Sequence, residues 1–184
     1  MQALLGAGMT PDDYLLDIGC GSLRLGHKAV PFLKPGHYWG TDASLALMRH
    51  GRATELSDPE RLPLEHLIQD ADFAFPGVPD TITLAIAFGV FTHLPAPALA
   101  TALTNLRRFP KLRAVLFTVF LAPEGAGATR QPDGVVTHPD RPPYHVTETA
   151  TATTIRAAGF TPARKPDLLP RGQVLWSAIP PQIP

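Results

Sequence analysis

Short apolar runs alternate with stretches of helical periodicity along most of this chain. Tyr14–Ile18 (YLLDI) is apolar apart from Asp17 and ends in Gly-Cys-Gly, which predicts a buried strand entering a tight turn. From Ser22 to about Leu33 the apolar residues Leu23, Leu25, Ala29, Val30 and Leu33 recur at helical spacing, with Pro35-Gly36 as the stop. His37–Thr41 predicts a second strand ending at Asp42. Ser44, whose hydroxyl can accept from a first-turn amide, caps a helix reaching about Arg49. Glu65–Gln69 predicts a third strand. Thr81–Phe88 predicts a fourth, β-branched and apolar enough to be buried on both faces. A helix over Ala96–Arg108, with Leu99, Ala102, Leu103 and Leu106 on one face, precedes a fifth strand, Arg113–Leu121. Thr147–Ala158 predicts a helix stopped by Gly159, and Phe160–Lys165 and Gly172–Ile179 two closing strands.

Strands alternating with helices predict a mostly parallel sheet covered on both faces, in which ligands bind beyond the carboxyl ends of the strands. At 184 residues the chain is expected to form one domain, 1–184. The proline clusters fall between the apolar segments, as loops require. Ala122–Val146 has no clear periodicity and exceeds ordinary loop length, so it is expected to be a flexible lid or a substrate-side loop.

Composition narrows the classes of partner. Lys plus Arg and Asp plus Glu both number 16, so the chain lacks the basic excess of a protein that grips a polyanion. A small-molecule partner is therefore favoured over nucleic acid. Cys20 is the only cysteine, which excludes an intramolecular disulfide and a four-cysteine zinc site. No run approaches the roughly 20 apolar residues of a membrane span, and MQALLGAGMTPDD has no basic leader region. A cytoplasmic protein is expected.

The chemistry should stand just after each strand. The first is followed by Gly19 and Gly21, which let the backbone turn tightly and approach a ligand, and by Gly26. Asp42 ends the second, at a distance that suits a carboxylate accepting ribose hydroxyls. The third is followed by Asp70, Ala71, Asp72 and Phe73, placed to contact an adenine. The fourth is followed by Gly89, Val90, Phe91, Thr92 and His93.

The run LLDIGCGSLRLG, then YWGTDAS, IQDADF and LAIAFGVFTHLP, resembles the successive motifs of class I S-adenosyl-L-methionine (SAM)-dependent methyltransferases over about Tyr14 to Leu121. The resemblance implies a three-layer Rossmann-like α/β fold. Its sheet would be mostly parallel and seven-stranded, with helices on both faces and an antiparallel last strand. It also implies a methyl-transferring enzyme with SAM as cofactor. Asp17 would then hold the amino-acid end, with Gly19, Cys20 and Gly21 beside the methionine and ribose. Asp42 and Ala43 would serve the ribose. Asp70 and Ala71, or in the alternative register Asp72 and Phe73, would frame the adenine. Phe88 is counted with the cofactor residues. The family's common third glycine is Leu23 here, and Gly26 stands one turn later.

Two other functions stay open at this point. A nicotinamide-dependent oxidoreductase competes, although GCGSLRLG has Arg24 where GxGxxG needs its third glycine. A non-catalytic SAM-binding module acting with a partner also competes. As catalytic bases, His93 after the fourth strand and His145 in the long segment are the candidates, with Tyr144 beside the latter. No metal site is expected, since His138 and His145 lack further ligands. Cys20 without a positioned base is not expected to be a nucleophile.

Overall fold

The computed structural model describes residues 1–181. Its elements run α1 (Gln2–Gly6), β1 (Leu15–Ile18), α2 (Gly26–Phe32), β2 (Tyr38–Asp42), α3 (Leu45–Glu55), β3 (Leu67–Gln69), β4 (Leu84–Ala87), α4 (Pro97–Leu106), β5 (Ala114–Leu121), β6 (Thr129–Arg130), β7 (Val136–Thr137), β8 (His145–Val146), α5 (Glu148–Ala157), β9 (Thr161–Leu168) and β10 (Val174–Ile179). The main sheet runs β3-β2-β1-β4-β5-β10-β9, parallel as far as β5, with β10 antiparallel to both its neighbours. The expected seven strands and antiparallel last strand are present, and β8 adds a short eighth to β5.

Alternation of side chains across the sheet makes two cores. Leu16, Ile18, Ala85, Ala87, Val115 and Phe117 pack against α4 and α5 on one face. Leu15, Leu84, Ile86 and Leu116 pack against Leu4, Ala29 and Met48, from α1, α2 and α3, on the other. The β3–β4 connection carries no helix. Buried Phe75, Val78 and Ile82 fill the space instead. Arg108 fastens this connection by donating to the carbonyls of Phe75 (2.8 Å) and Val78 (2.7 Å).

Two expected helix boundaries are corrected. The helix expected from Ser22 begins only at Gly26, because Leu23 takes a left-handed φ of +63° that no α-helix admits. The helix capped by Ser44, whose Oγ accepts from Leu47 N–H at 3.2 Å, runs on to Glu55. The segment Ala122–Val146, expected to be a flexible lid or a substrate-side loop, contains β6, β7 and β8. These strands escaped notice because each spans two residues, too few to show a period.

Candidate active site

The turn after β1 is shaped by backbone rotation. Gly19 (φ +67°), Gly21 (φ +52°) and Leu23 (φ +63°) all occupy the left-handed region. A Cβ on Gly19 would lie 2.5 Å from a Val90 methyl carbon, so this glycine also lets the turn after β4 close over it. Leu23 bears the cost of its conformation, about 1–2 kcal/mol, while its side chain is fully buried. That side chain lies over Gly26, where a Cβ would stand 2.8 Å from the Leu23 Cβ. The glycine missing at position 23 is answered by the one at 26.

Asp17 is the one charged residue of β1, and its side chain is buried. It faces a cavity of about 580 Å³ that Gly19, Cys20 and Gly21 also line. Tyr38 donates its hydroxyl to Asp17 Oδ2 at 2.5 Å. Burial pushes the carboxyl up to about 7, although the Tyr38 hydrogen bond opposes this. A cation beside it would draw it into the charged form. Burial and the neighbouring Asp17 push the Cys20 thiol far up, leaving it a small packing residue with no thiolate character.

Phe88, just after β4, is 43 % exposed and lines the same cavity. Its companions Phe91, Phe117 and Phe120 are buried. Sequence reading missed Arg24, Lys28 and Leu47, which line the cavity together with Met1, Ser22, Leu25 and Ile86. Arg24 lies just before α2 and Lys28 within it, and the available signal was their four-residue spacing on the helix expected from Ser22.

The remaining predicted residues stand at neighbouring strand tips, outside the lining of this cavity. Asp42 accepts from Gly21 N–H (3.0 Å) and Ser44 N–H (2.9 Å), bracing the glycine turn against α3. The Ala43 carbonyl accepts from Gln69 Nε2 at 2.9 Å. Asp70 organises its own loop, accepting from the N–H groups of Asp72, Ala74 and Phe75. Ala71 and Asp72 are exposed. Phe73, at φ +58°, packs its ring 5.8 Å from that of Phe91.

The two histidines differ sharply. His93 is exposed, and its ring makes no hydrogen bond among the described residues. His145 is buried, with Nδ1 2.9 Å from Thr137 Oγ. Tyr144 N–H donates to the Thr92 carbonyl at 2.7 Å, joining the long segment to the turn after β4. Among the described residues, no three His, Cys, Asp or Glu side chains converge as metal ligands would. A second hollow of about 460 Å³, between the end of α4, Phe160 and Pro180, holds none of the predicted site residues.

A family model described as a methyltransferase domain matches residues 16–116. This chain belongs to the methyltransferase domain family. The matched span takes in the glycine turn, Asp42, Asp70 and Phe88, and ends within β5. No curated protein matches the chain. Among solved structures, a 1,6-didemethyltoxoflavin-N1-methyltransferase from Burkholderia thailandensis, with 1,6-didemethyltoxoflavin and S-adenosylhomocysteine bound, is 18% identical. That match covers 98% of this methyltransferase domain and 76% of the other chain, at a TM-score of 0.68. A magnesium protoporphyrin IX methyltransferase from Synechocystis PCC 6803 with bound SAM is 15% identical, covering 98% and 76% at 0.64. A SAM-dependent methyltransferase from Methanosarcina mazei is 16% identical, covering 96% and 94% at 0.64. At such identities the likeness is one of fold.

Proposed function

We propose that this methyltransferase domain binds SAM and transfers its methyl group to a small-molecule acceptor in the cytoplasm. The carrying observation is Asp17, a buried carboxyl facing a cavity roomy enough for the donor, beside a turn whose glycines bring the backbone to its edge. Asp17 takes the donor's ammonium group. Asp42 offers the ribose hydroxyls the lone pairs that its two backbone bonds leave open. Three N–H groups occupy Asp70, so Ala71 and Asp72 are the residues left to meet the adenine. Cys20 packs, and Phe88 presents an apolar face to the acceptor.

The bound donor supplies an electrophilic sulfonium methyl, and the chain supplies orientation and shielding from water. As the acceptor heteroatom bonds to the methyl carbon, the carbon–sulfur bond breaks to a neutral thioether and the acceptor's proton leaves to a base. His145 is preferred to His93 as that base because its ring is held in place. The chain acts as one domain, 1–184, with residues 122–146 on the acceptor side. A neutral overall charge supports a small acceptor, and no helix is long and apolar enough to cross a membrane. Calorimetric titration with SAM and with S-adenosylhomocysteine tests the reading. Both should bind, and folded protein that binds neither removes it.

A further inference from the structure

We propose that Gln131 and Thr137 are positioning residues that fix His145 as the Nδ1–H tautomer, leaving its Nε2 lone pair to receive the acceptor's proton. This rests on the methyl-transfer reading and adds how the chain sets its base.

The sheet register puts His145 in line with the site. Asp17, Ile86 and Leu116 are successive partners across β1, β4 and β5, so their side chains share one face. Thr118 and Phe120 follow Leu116 on that face. The last β4–β5 pair is Ala87 with Phe117. Beyond it, β8 takes the edge of β5 that β4 has left, with His145 opposite Phe120 and Ala122 N–H donating to the Val146 carbonyl. The bond from Tyr144 to Thr92 holds β8 against the turn after β4. His145 therefore faces the same side of the sheet as Asp17. Its row lies four residues further along β5, about 13 Å at the usual strand rise. Phe88, one residue beyond Ala87, stands between the two rows. Donor anchor, apolar acceptor contact and imidazole follow one another along one face.

The hydrogen bonds around Thr137 settle the tautomer. Gln131 Nε2 donates to the Leu121 carbonyl (3.2 Å) and to Thr137 Oγ (3.0 Å), which fixes the amide's orientation and fills one lone pair of the hydroxyl. The hydroxyl has one proton, and the Thr129 carbonyl, 3.2 Å away, is there to accept it. The second lone pair then accepts from His145 Nδ1–H at 2.9 Å. In this arrangement the Gln131 amide nitrogen, the Thr137 hydroxyl and His145 Nδ1 all have partners. The reverse, with the hydroxyl donating to a bare Nδ1, leaves a lone pair of Thr137 empty and takes the hydroxyl proton from the Thr129 carbonyl. With Nδ1 committed, the imidazole can gain a proton only at Nε2. The other ring nitrogen's partner thus decides which nitrogen is basic.

Proton–nitrogen correlation spectra of histidine-labelled protein, at mildly alkaline pH and without any ligand, read the tautomer directly. The His145 signals are identified by their loss in His145→Asn. The expected result is one tautomer, with the proton on Nδ1 and a bare Nε2. Thr137→Val should abolish that single form and give a mixture, while Thr137→Ser, which keeps the hydroxyl, should restore it. A bare Nδ1 in the wild-type chain overturns the proposal. So does a Thr137→Val spectrum unchanged from wild type. S-adenosylhomocysteine titrated into the same samples separates the two claims. Absence of binding removes the methyl-transfer reading, and the tautomer result stands or falls apart from it.

Discussion

The proposed donor side and the proposed acceptor side of this molecule are held by different parts of the polypeptide. Around Asp17 the geometry is set by main-chain rotation at Gly19, Gly21 and Leu23, and by Asp42 accepting from two backbone N–H groups. Around His145 it is set by side chains, through buried hydrogen bonds from Gln131 to Thr137 and between Thr137 and His145, the last two on strands of two residues each. A backbone-built wall presents the same surface whatever side chains surround it, which suits a ligand shared by a whole family. A side-chain-built wall changes with each substitution. The family match stops within β5, before β6, β7 and β8, in keeping with that division.

The sharpest way to break the comparison is Asp17→Asn, which keeps the Tyr38 hydrogen bond but removes the charge. Loss of a buried ionic partner costs about 3–5 kcal/mol, so S-adenosylhomocysteine should bind at least ~100-fold more weakly by calorimetry. The unliganded variant should gain stability. With the folded pKa raised from 3.8 to about 7, the native state holds a proton that the unfolded chain has released. Wild-type stability therefore falls as pH rises from about 4 to about 7, and above that window the cost is on the order of 4 kcal/mol. Urea unfolding should show Asp17→Asn more stable than wild type above neutrality and equal to it at the acid end. For the wild type, ligand affinity should weaken as pH drops below about 7, since the ammonium group requires the ionised carboxylate. Equal affinity across that range would take Asp17 out of the site.

Gly19→Ala comes next. The added methyl meets Val90 at 2.5 Å in a left-handed conformation, and overpacking with backbone strain together cost about 3 kcal/mol in urea unfolding. Adding Val90→Ala should recover the overpacking share but leave the strain. A double variant no better than the single one would show that Val90 does not set the glycine. Asp42→Ala follows, at roughly 2 kcal/mol for two lost charge-assisted bonds, with weaker S-adenosylhomocysteine binding. Because Asp42 braces the turn, that binding loss should exceed what lost ribose contacts alone give. Ser44→Ala, which leaves both bonds of Asp42 in place, should retain full affinity.

The same contrast explains what could be read from the chain in advance. The succession of strands and helices along the chain and the tight turn after β1 were legible because each rests on a local signal: short apolar runs, and glycines where the backbone turns. Leu23 misled the helix boundary, since a leucine at helical spacing gives no hint of a positive φ. Arg24 and Lys28 were passed over because a charged helical face usually means solvent. Residues 122–146 were illegible for a different reason. Their strands are fixed by pairing, His145 with Phe120 on β5 and Thr129 with Thr137 inside the segment, and two-residue strands carry no period. Gln131 and Thr137 are ordinary polar residues until folding buries them.

The smallest effects separate the two histidines. His145→Ala strips Thr137 of a buried partner and should cost about 1–2 kcal/mol in urea unfolding, because a polar group left unsatisfied retains its desolvation penalty. His93→Ala removes an exposed ring without a hydrogen bond and should stay within about 0.5 kcal/mol of wild type. Neither should alter S-adenosylhomocysteine affinity, since neither ring lines the donor cavity. If His93→Ala proved as costly as His145→Ala, the imidazole held in place would be the one after β4. The side-chain-built wall would then lie there, and the long segment would be only its cover.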